Sequence, residues 1–146
     1  MTETIMMNKI DEFKGEYFFL SNFYEAPVEY DGLQYMNSEA AFQAQKCEFP
    51  QKRVEFQKLN PSAAKALGRK VTLREDWDEV KTDVMLGIVR NKFKQNPDLG
   101  KKLIETGDAY LEEGNWWGDK IWGVCNGVGE NRLGKILMQV RDELKK

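Results

Sequence analysis

The sequence predicts one compact α+β domain over residues 1–146, mostly helical, with a small β-hairpin or sheet. Three observations predict it. Apolar residues recur at helical spacing along segments 77–93 and 133–144. An Asp-Gly pair at 31–32 separates two short alternating runs. No repeat, linker or low-complexity tract divides the chain, and its length is ordinary for one domain.

Residues 1–11 are polar apart from an Ile5-Met6-Met7 cluster; they lack signal-peptide character and are expected to be flexible. Residues 16–24 (EYFFLSNFY) are aromatic-rich and follow neither period. In PVEYDGLQY, Val28 and Tyr30 alternate before Asp31-Gly32, and Leu33 and Tyr35 after it, which predicts a tight type I′ hairpin. Ser38 then reads as the N-cap of a helix SEAAFQAQKCEF that stops before Pro50, with Glu39 in its first turn. QKRVEFQKL reads as a second helical segment. Asn60-Pro61 starts a third, with Pro61 at the first helical position and Gly68 beyond the end.

Asp76 and Glu79 form a capping-box pattern at the head of the longest helix. Trp77, Val80, Val84, Ile88 and, after a gap, Phe93 form its apolar stripe, and Pro97 ends it. LGKKLIETG is a short helix closed by Gly107, and AYLEE is a candidate strand. Residues 114–129, with five glycines and three tryptophans, predict a structured loop rather than a regular element. Leu133, Ile136, Leu137, Val140 and Leu144 give the closing helix its buried face.

Composition narrows the chemistry. The chain has no histidine, which removes Ser-His, Cys-His and His-metal mechanisms together and leaves carboxylates, lysine, tyrosine, cysteine and backbone groups. Cys47 and Cys125 are too few for a disulfide framework and lack metal-ligand spacing, so no metal and no cofactor are expected. A formal net charge of -2, with no basic stripe, argues against a protein that grips nucleic acid through many phosphates. No apolar run reaches the ~20 residues of a membrane span, and a reducing cytoplasm is the expected compartment.

Three places carry candidate chemistry. Glu39, Gln43 and Lys46 lie four and three residues apart and share one helical face. They read either as a solvated face with a weak ion pair or, because Ala40, Ala41, Phe42 and Ala44 make the helix apolar, as a buried functional set. In NWWGDKIWGVCNG, Asp119, Trp122 and the glycines read either as a stacking and phosphate-binding loop or as a core plug with a capped turn. Trp77 reads as core from its stripe, although it also sits at a helix mouth where anions are attracted. Arg69 and Lys70 either meet a phosphate or face water, and nothing near Cys125 marks it as a nucleophile.

Read together, FLSNFY at 19–24, DGLQYMNSEAAFQAQK at 31–46, LGRKVTLREDW at 67–77, KFKQNP at 92–97, LIETGDAYLEE at 103–113 and DKIWGVCNGVGENRLGKILMQVR at 119–141 resemble the NADAR (YbiA-like) family. The resemblance runs through nearly the whole chain in the family's order. It implies an N-glycosidase acting on ribosides, either phosphoribosylated pyrimidine intermediates of riboflavin synthesis or ADP-ribosylated guanine bases. The partner implied is then a small riboside or an ADP-ribosylated nucleobase, the latter carried on single-stranded nucleic acid, with no membrane involved. The family's acidic residue falls on Glu39, its lysine on Lys46, its helix-start tryptophan on Trp77 and its loop aspartate on Asp119. Asn22, Phe23, Gln43, Arg69, Trp77, Trp122, Gly123 and Asn131 lie in the matching pieces and are expected to bind substrate. One departure is Ala40, where many relatives have histidine directly after the glutamate, so a role for that histidine does not carry over.

Cleaving an N-riboside builds positive charge on the sugar, which a carboxylate stabilises. Glu39 or Asp119 would do this, and the other would activate water or protonate the leaving base. Lys46 could instead attack the anomeric carbon to give a Schiff-base-type intermediate, provided its pKa is lowered. The alternatives outside enzymology are a non-catalytic ADP-ribose or NAD-binding module and an interaction protein using the tryptophan loop as a partner patch.

Overall fold

The structure is a computed structural model that describes residues 8–146; the expectation for residues 1–7 lies outside the described residues. In chain order the strands are β1 (Lys9–Ile10), β2 (Val28–Tyr30), β3 (Leu33–Tyr35), β4 (Tyr110–Leu111), β5 (Gly114–Asn115) and β6 (Val124–Cys125). The helices are α1 (Ser38–Ala44), α2 (Pro61–Gly68), α3 (Trp77–Gln95), α4 (Pro97–Glu105) and α5 (Arg132–Lys145). Two 3-10 helices, Gly15–Leu20 and Pro50–Phe56, complete the set. This is the mostly helical α+β fold with small sheets that the periodicity predicts. The chain divides into two compact units, one of residues up to Ser21 together with Asp98–Lys146, the other Asn22–Pro97.

The Asn22–Pro97 unit is built around α1. All seven of its residues are buried, and it packs against α2, α3, the Pro50–Phe56 helix and the β2–β3 hairpin. A helix this short does not hold itself in water, so its apolar surroundings and its cap must supply the stability. The cap is Asn37 rather than the expected Ser38: Asn37 Oδ1 accepts from the Ala40 N–H at 2.8 Å, and its Nδ2 donates to the Leu59 carbonyl at 3.0 Å. The hairpin forms as predicted, with Tyr30 opposite Leu33 and positive φ at Asp31 (50°) and Gly32 (88°), as a type I′ turn requires. Asn60 and Pro61 start α2 as expected, with Asn60 Oδ1 accepting from the Ala63 N–H. The capping box at α3 does not form, because Arg74 takes both Asp76 carboxylate oxygens at 2.6 and 3.0 Å. Trp77, Val84, Ile88 and Phe93 are buried as predicted, and the gap in their stripe is filled by Lys92, itself 1% exposed.

In the other unit, β1 pairs in parallel with β4, Lys9 opposite Tyr110 and Ile10 opposite Leu111. Residues 9–10 are therefore tied into a strand pair, and AYLEE supplies the expected strand. The glycine- and tryptophan-rich segment is mostly loop, but it contains the short parallel pair β5–β6, which periodicity is too coarse to show. Helix α5 buries Leu133, Ile136, Leu137 and Val140.

Candidate active site

In the Asn22–Pro97 unit Glu39 and Gln43 are buried, whereas Lys46 is half-buried. Glu39 is 8% exposed and Gln43 5%. Gln43 Nε2 donates to Glu39 Oε2 at 2.6 Å, a charge-assisted bond made one turn along α1. The Glu39 N–H donates to the Asn22 carbonyl at 3.1 Å, and Asn22 is itself buried with Nδ2 donating to Met85 Sδ at 3.4 Å. Asn22 thus anchors the start of α1 through its backbone.

Lys46 lies just beyond α1, where the chain straightens into a short antiparallel pairing. The Arg74 N–H donates to the Lys46 carbonyl and the Glu48 N–H to the Thr72 carbonyl, both at 2.9 Å, around a bridge between Cys47 and Leu73. This ladder fixes the Lys46 backbone although α1 has ended two residues earlier. Burial pushes the Lys46 pKa below the ordinary lysine value; attraction to Glu39 opposes this, and Arg69, Lys65 and Lys81 reinforce it. Lys46 therefore stands among three further cations, with the buried Glu39 carboxylate as its counter-charge. Lys65 also stands 5.9 Å from the Phe23 ring centroid, and Arg69 is exposed at the end of α2.

Trp77 is 6% exposed and packs on Phe42 of α1, ring centroids 5.1 Å apart at 54°. A cavity of about 290 Å³ in this unit is lined by Cys47, Phe49, Phe56, Leu67 and Thr72 among others, and Glu39 is not among its lining residues. The Cys47 thiol at its edge is pushed up by burial, away from nucleophilic character. The buried carboxylate of Glu39, rather than the size of that cavity, marks the candidate site.

In the other unit Asp119 organises the loop. Its Oδ1 accepts from the Ile121 N–H at 3.1 Å and the Trp122 N–H at 2.9 Å, while its own N–H donates to Asn115 Oδ1. Trp122 is half-buried, whereas Trp116 and Trp117 are 80% and 50% exposed. Gly123 has no room for a side chain, since a Cβ there would overlap Glu113. Asn131 is 2% exposed at a left-handed φ of 53°; its Oδ1 accepts from the Glu113 N–H and its Nδ2 donates to the Leu111 carbonyl at 2.9 Å. Among the described residues no group of three or more Cys, Asp or Glu could hold a metal ion, and no helix is long and apolar enough to cross a membrane.

Comparison with known proteins sets this geometry in a class. The N-glycosidase YbiA of Shigella flexneri serotype 5b is 38% identical over 131 residues, covering 85% of this chain and 79% of that protein. An N-glycosidase of Nostoc punctiforme is 47% identical over 88 residues, 58% of this chain and 56% of that protein. A riboflavin biosynthesis protein of Vibrio vulnificus is 38% identical over 99% of this chain, which spans only 40% of the Vibrio protein's length. The solved structure of Escherichia coli YbiA superposes with a TM-score of 0.81 at 33% identity, covering 95% of this chain and 89% of the other. N-glycosidase is thus the enzyme class that the Shigella and Nostoc relatives carry by name. The NADAR domain family model matches residues 10–145, and the chain belongs to that family.

Proposed function

We propose that this chain is an N-glycosidase that hydrolyses the bond between a nucleobase or pyrimidine and a phosphorylated ribose. The observation that supports it is the buried Glu39 carboxylate, held by Gln43 and set beside Lys46, with Lys65, Arg69 and Lys81 around that lysine. As the C–N bond breaks, positive charge develops on the ribose, and a desolvated carboxylate stabilises it far better than water can. The cations suit the phosphate of the same substrate. Glu39 is assigned both tasks: stabilising the oxocarbenium-like sugar and accepting a proton from the attacking water. Asp119 is assigned a supporting part, fixing the turn that carries Trp122, because its Oδ1 already accepts two backbone N–H groups.

A covalent route is favoured by one specific observation, the lowered pKa of Lys46. The neutral amine would attack the anomeric carbon, the C–N bond electrons would leave with the base, and ring opening would give a Schiff base that water hydrolyses.

A phosphoribosylated pyrimidine is the preferred substrate class, given the net charge of -2 and the riboflavin-related relative. The test incubates the purified chain with that pyrimidine and, separately, with ADP-ribosylated guanine in single-stranded DNA, following base release by mass spectrometry. Release from the pyrimidine is expected. Release only from the DNA would move the substrate to ADP-ribosyl-guanine. ADP-ribose bound, with no base released from either, would make the chain a binding module.

A further inference from the structure

Gly68, the last residue of α2, faces Gln43 of α1 within the same unit. A Cβ built there would overlap Gln43 Oε1 and stand 2.8 Å from Cδ and 3.2 Å from Cβ of that side chain. Gly68 has an ordinary helical backbone, so no left-handed φ explains a glycine at this position. What explains it is the space its missing side chain leaves for the Gln43 amide.

The amide has little else to hold it. Its nitrogen donates to Glu39, but its oxygen is fully buried and has no hydrogen-bond partner among the described residues. An unbonded amide oxygen leaves the group free to rotate unless packing prevents it, and the packing surface against that oxygen is Gly68. We infer that Gly68 is a positioning residue for the proposed N-glycosidase reaction: its bare Cα seats the Gln43 amide so that Nε2 stays on the Glu39 carboxylate. This inference rests on the proposed role of Glu39 for its functional meaning, whereas the structural coupling of Gly68 to Glu39 stands on the packing alone.

Adding a methyl group at Gly68 forces the most movable neighbour to yield. That neighbour is the far end of Gln43, and when it swings away, Glu39 loses a donor to its ionised form. A carboxylate that loses such a donor titrates at higher pH. The charged groups around it are unchanged by the substitution: Lys46 attracts Glu39, and Arg69, Lys65 and Lys81 stand around Lys46.

The experiment is a pH titration of the Glu39 carboxyl by carbon-13 NMR in the unaltered chain, Gly68→Ala, Gln43→Ala and the double variant, with Glu39→Gln used for assignment. The apparent pKa is expected to rise by about one unit in Gly68→Ala and by a similar amount in Gln43→Ala. In the double variant the added methyl group has no amide to displace, so its titration should match that of Gln43→Ala alone. A Glu39 titration unmoved by Gly68→Ala while Gln43→Ala shifts it would overturn the inference. So would a double variant that fails to fold, since Gly68 would then be needed for something other than Gln43. Turnover measured on the same proteins separates the two claims: kcat should fall alongside the pKa shift with KM little changed. Absence of base release by the unaltered chain would remove the N-glycosidase reading and leave the titration result standing.

Discussion

Gln43 Nε2 and Glu39 Oε2 lie 2.6 Å apart, on a helix whose seven residues are all buried. A buried carboxylate is costly unless it is bonded, and an amide donor one turn away offsets part of that cost without neutralising the charge. The role proposed for Glu39 against a cationic sugar needs that burial with the negative charge retained.

Lys46 separates the two mechanisms. Its lowered pKa places neutral amine at a lower pH than an ordinary lysine would, so a covalent route should accelerate as pH rises through that lowered value. Borohydride added during turnover should then leave a ribose-derived mass adduct on Lys46. Turnover that proceeds without any adduct would remove the covalent route and leave Glu39 with activated water.

Trp77 is buried against Phe42, so Trp77→Ala should cost about 3–5 kcal/mol in denaturant unfolding. A variant as stable as the parent, but weak in substrate binding, would transfer Trp77 from the core to the pocket.

Asn131 joins the β4 end to the start of α5 through the Glu113 N–H and the Leu111 carbonyl. Asn131→Ala should lower stability by about 1–3 kcal/mol, because one buried and one part-buried backbone group lose their partner. Unchanged unfolding with raised KM would make it a substrate contact instead.

Burial pushes Lys92 down to about 7, between the rings of Tyr24 and Phe93 at 5.8 and 5.0 Å from Nζ. The unfolded chain keeps the ordinary lysine value, so between the two values the unfolded state holds the extra proton. Stability therefore rises with pH across that window, by up to about 1.4 kcal/mol per pH unit, and the penalty is complete below pH 7. Lys92→Met should be more stable at pH 7 and flatten the rise. Identical pH slopes in unfolding experiments on the two proteins would contradict this.

Elements whose physics is local were legible in the sequence. The Asp31-Gly32 turn follows from two residues that tolerate positive φ, and the α2 start follows from Asn60 and Pro61. Choices between neighbours were not. Ser38 and Asn37 are both good caps, and tertiary packing selects Asn37 while the Ser38 hydroxyl is buried without a partner among the described residues. Asp76 fits a capping box, yet Arg74 two residues earlier captures its carboxylate. Lys92 breaks an apolar stripe and is buried nonetheless, which helical spacing signals only as a gap. The Glu39–Gln43 pair was visible as spacing, whereas its burial depended on which elements close around α1, and Lys46 lies past the helix end, where the chain has turned into the Cys47–Leu73 bridge. Gly68 read as a helix stop because its partner lies 25 positions away in sequence, beyond any local pattern.

The central claim is that Glu39 carries the bond cleavage, and the most direct measurement compares base release by the unaltered chain and by Glu39→Gln on the phosphoribosylated pyrimidine. The substitution keeps the shape and removes the charge, so thermal unfolding should stay close to the parent while the rate falls by at least about a hundredfold. A folded Glu39→Gln protein that releases base at the parent rate would contradict the account and reduce Glu39 to a partner of the α1 N-terminus.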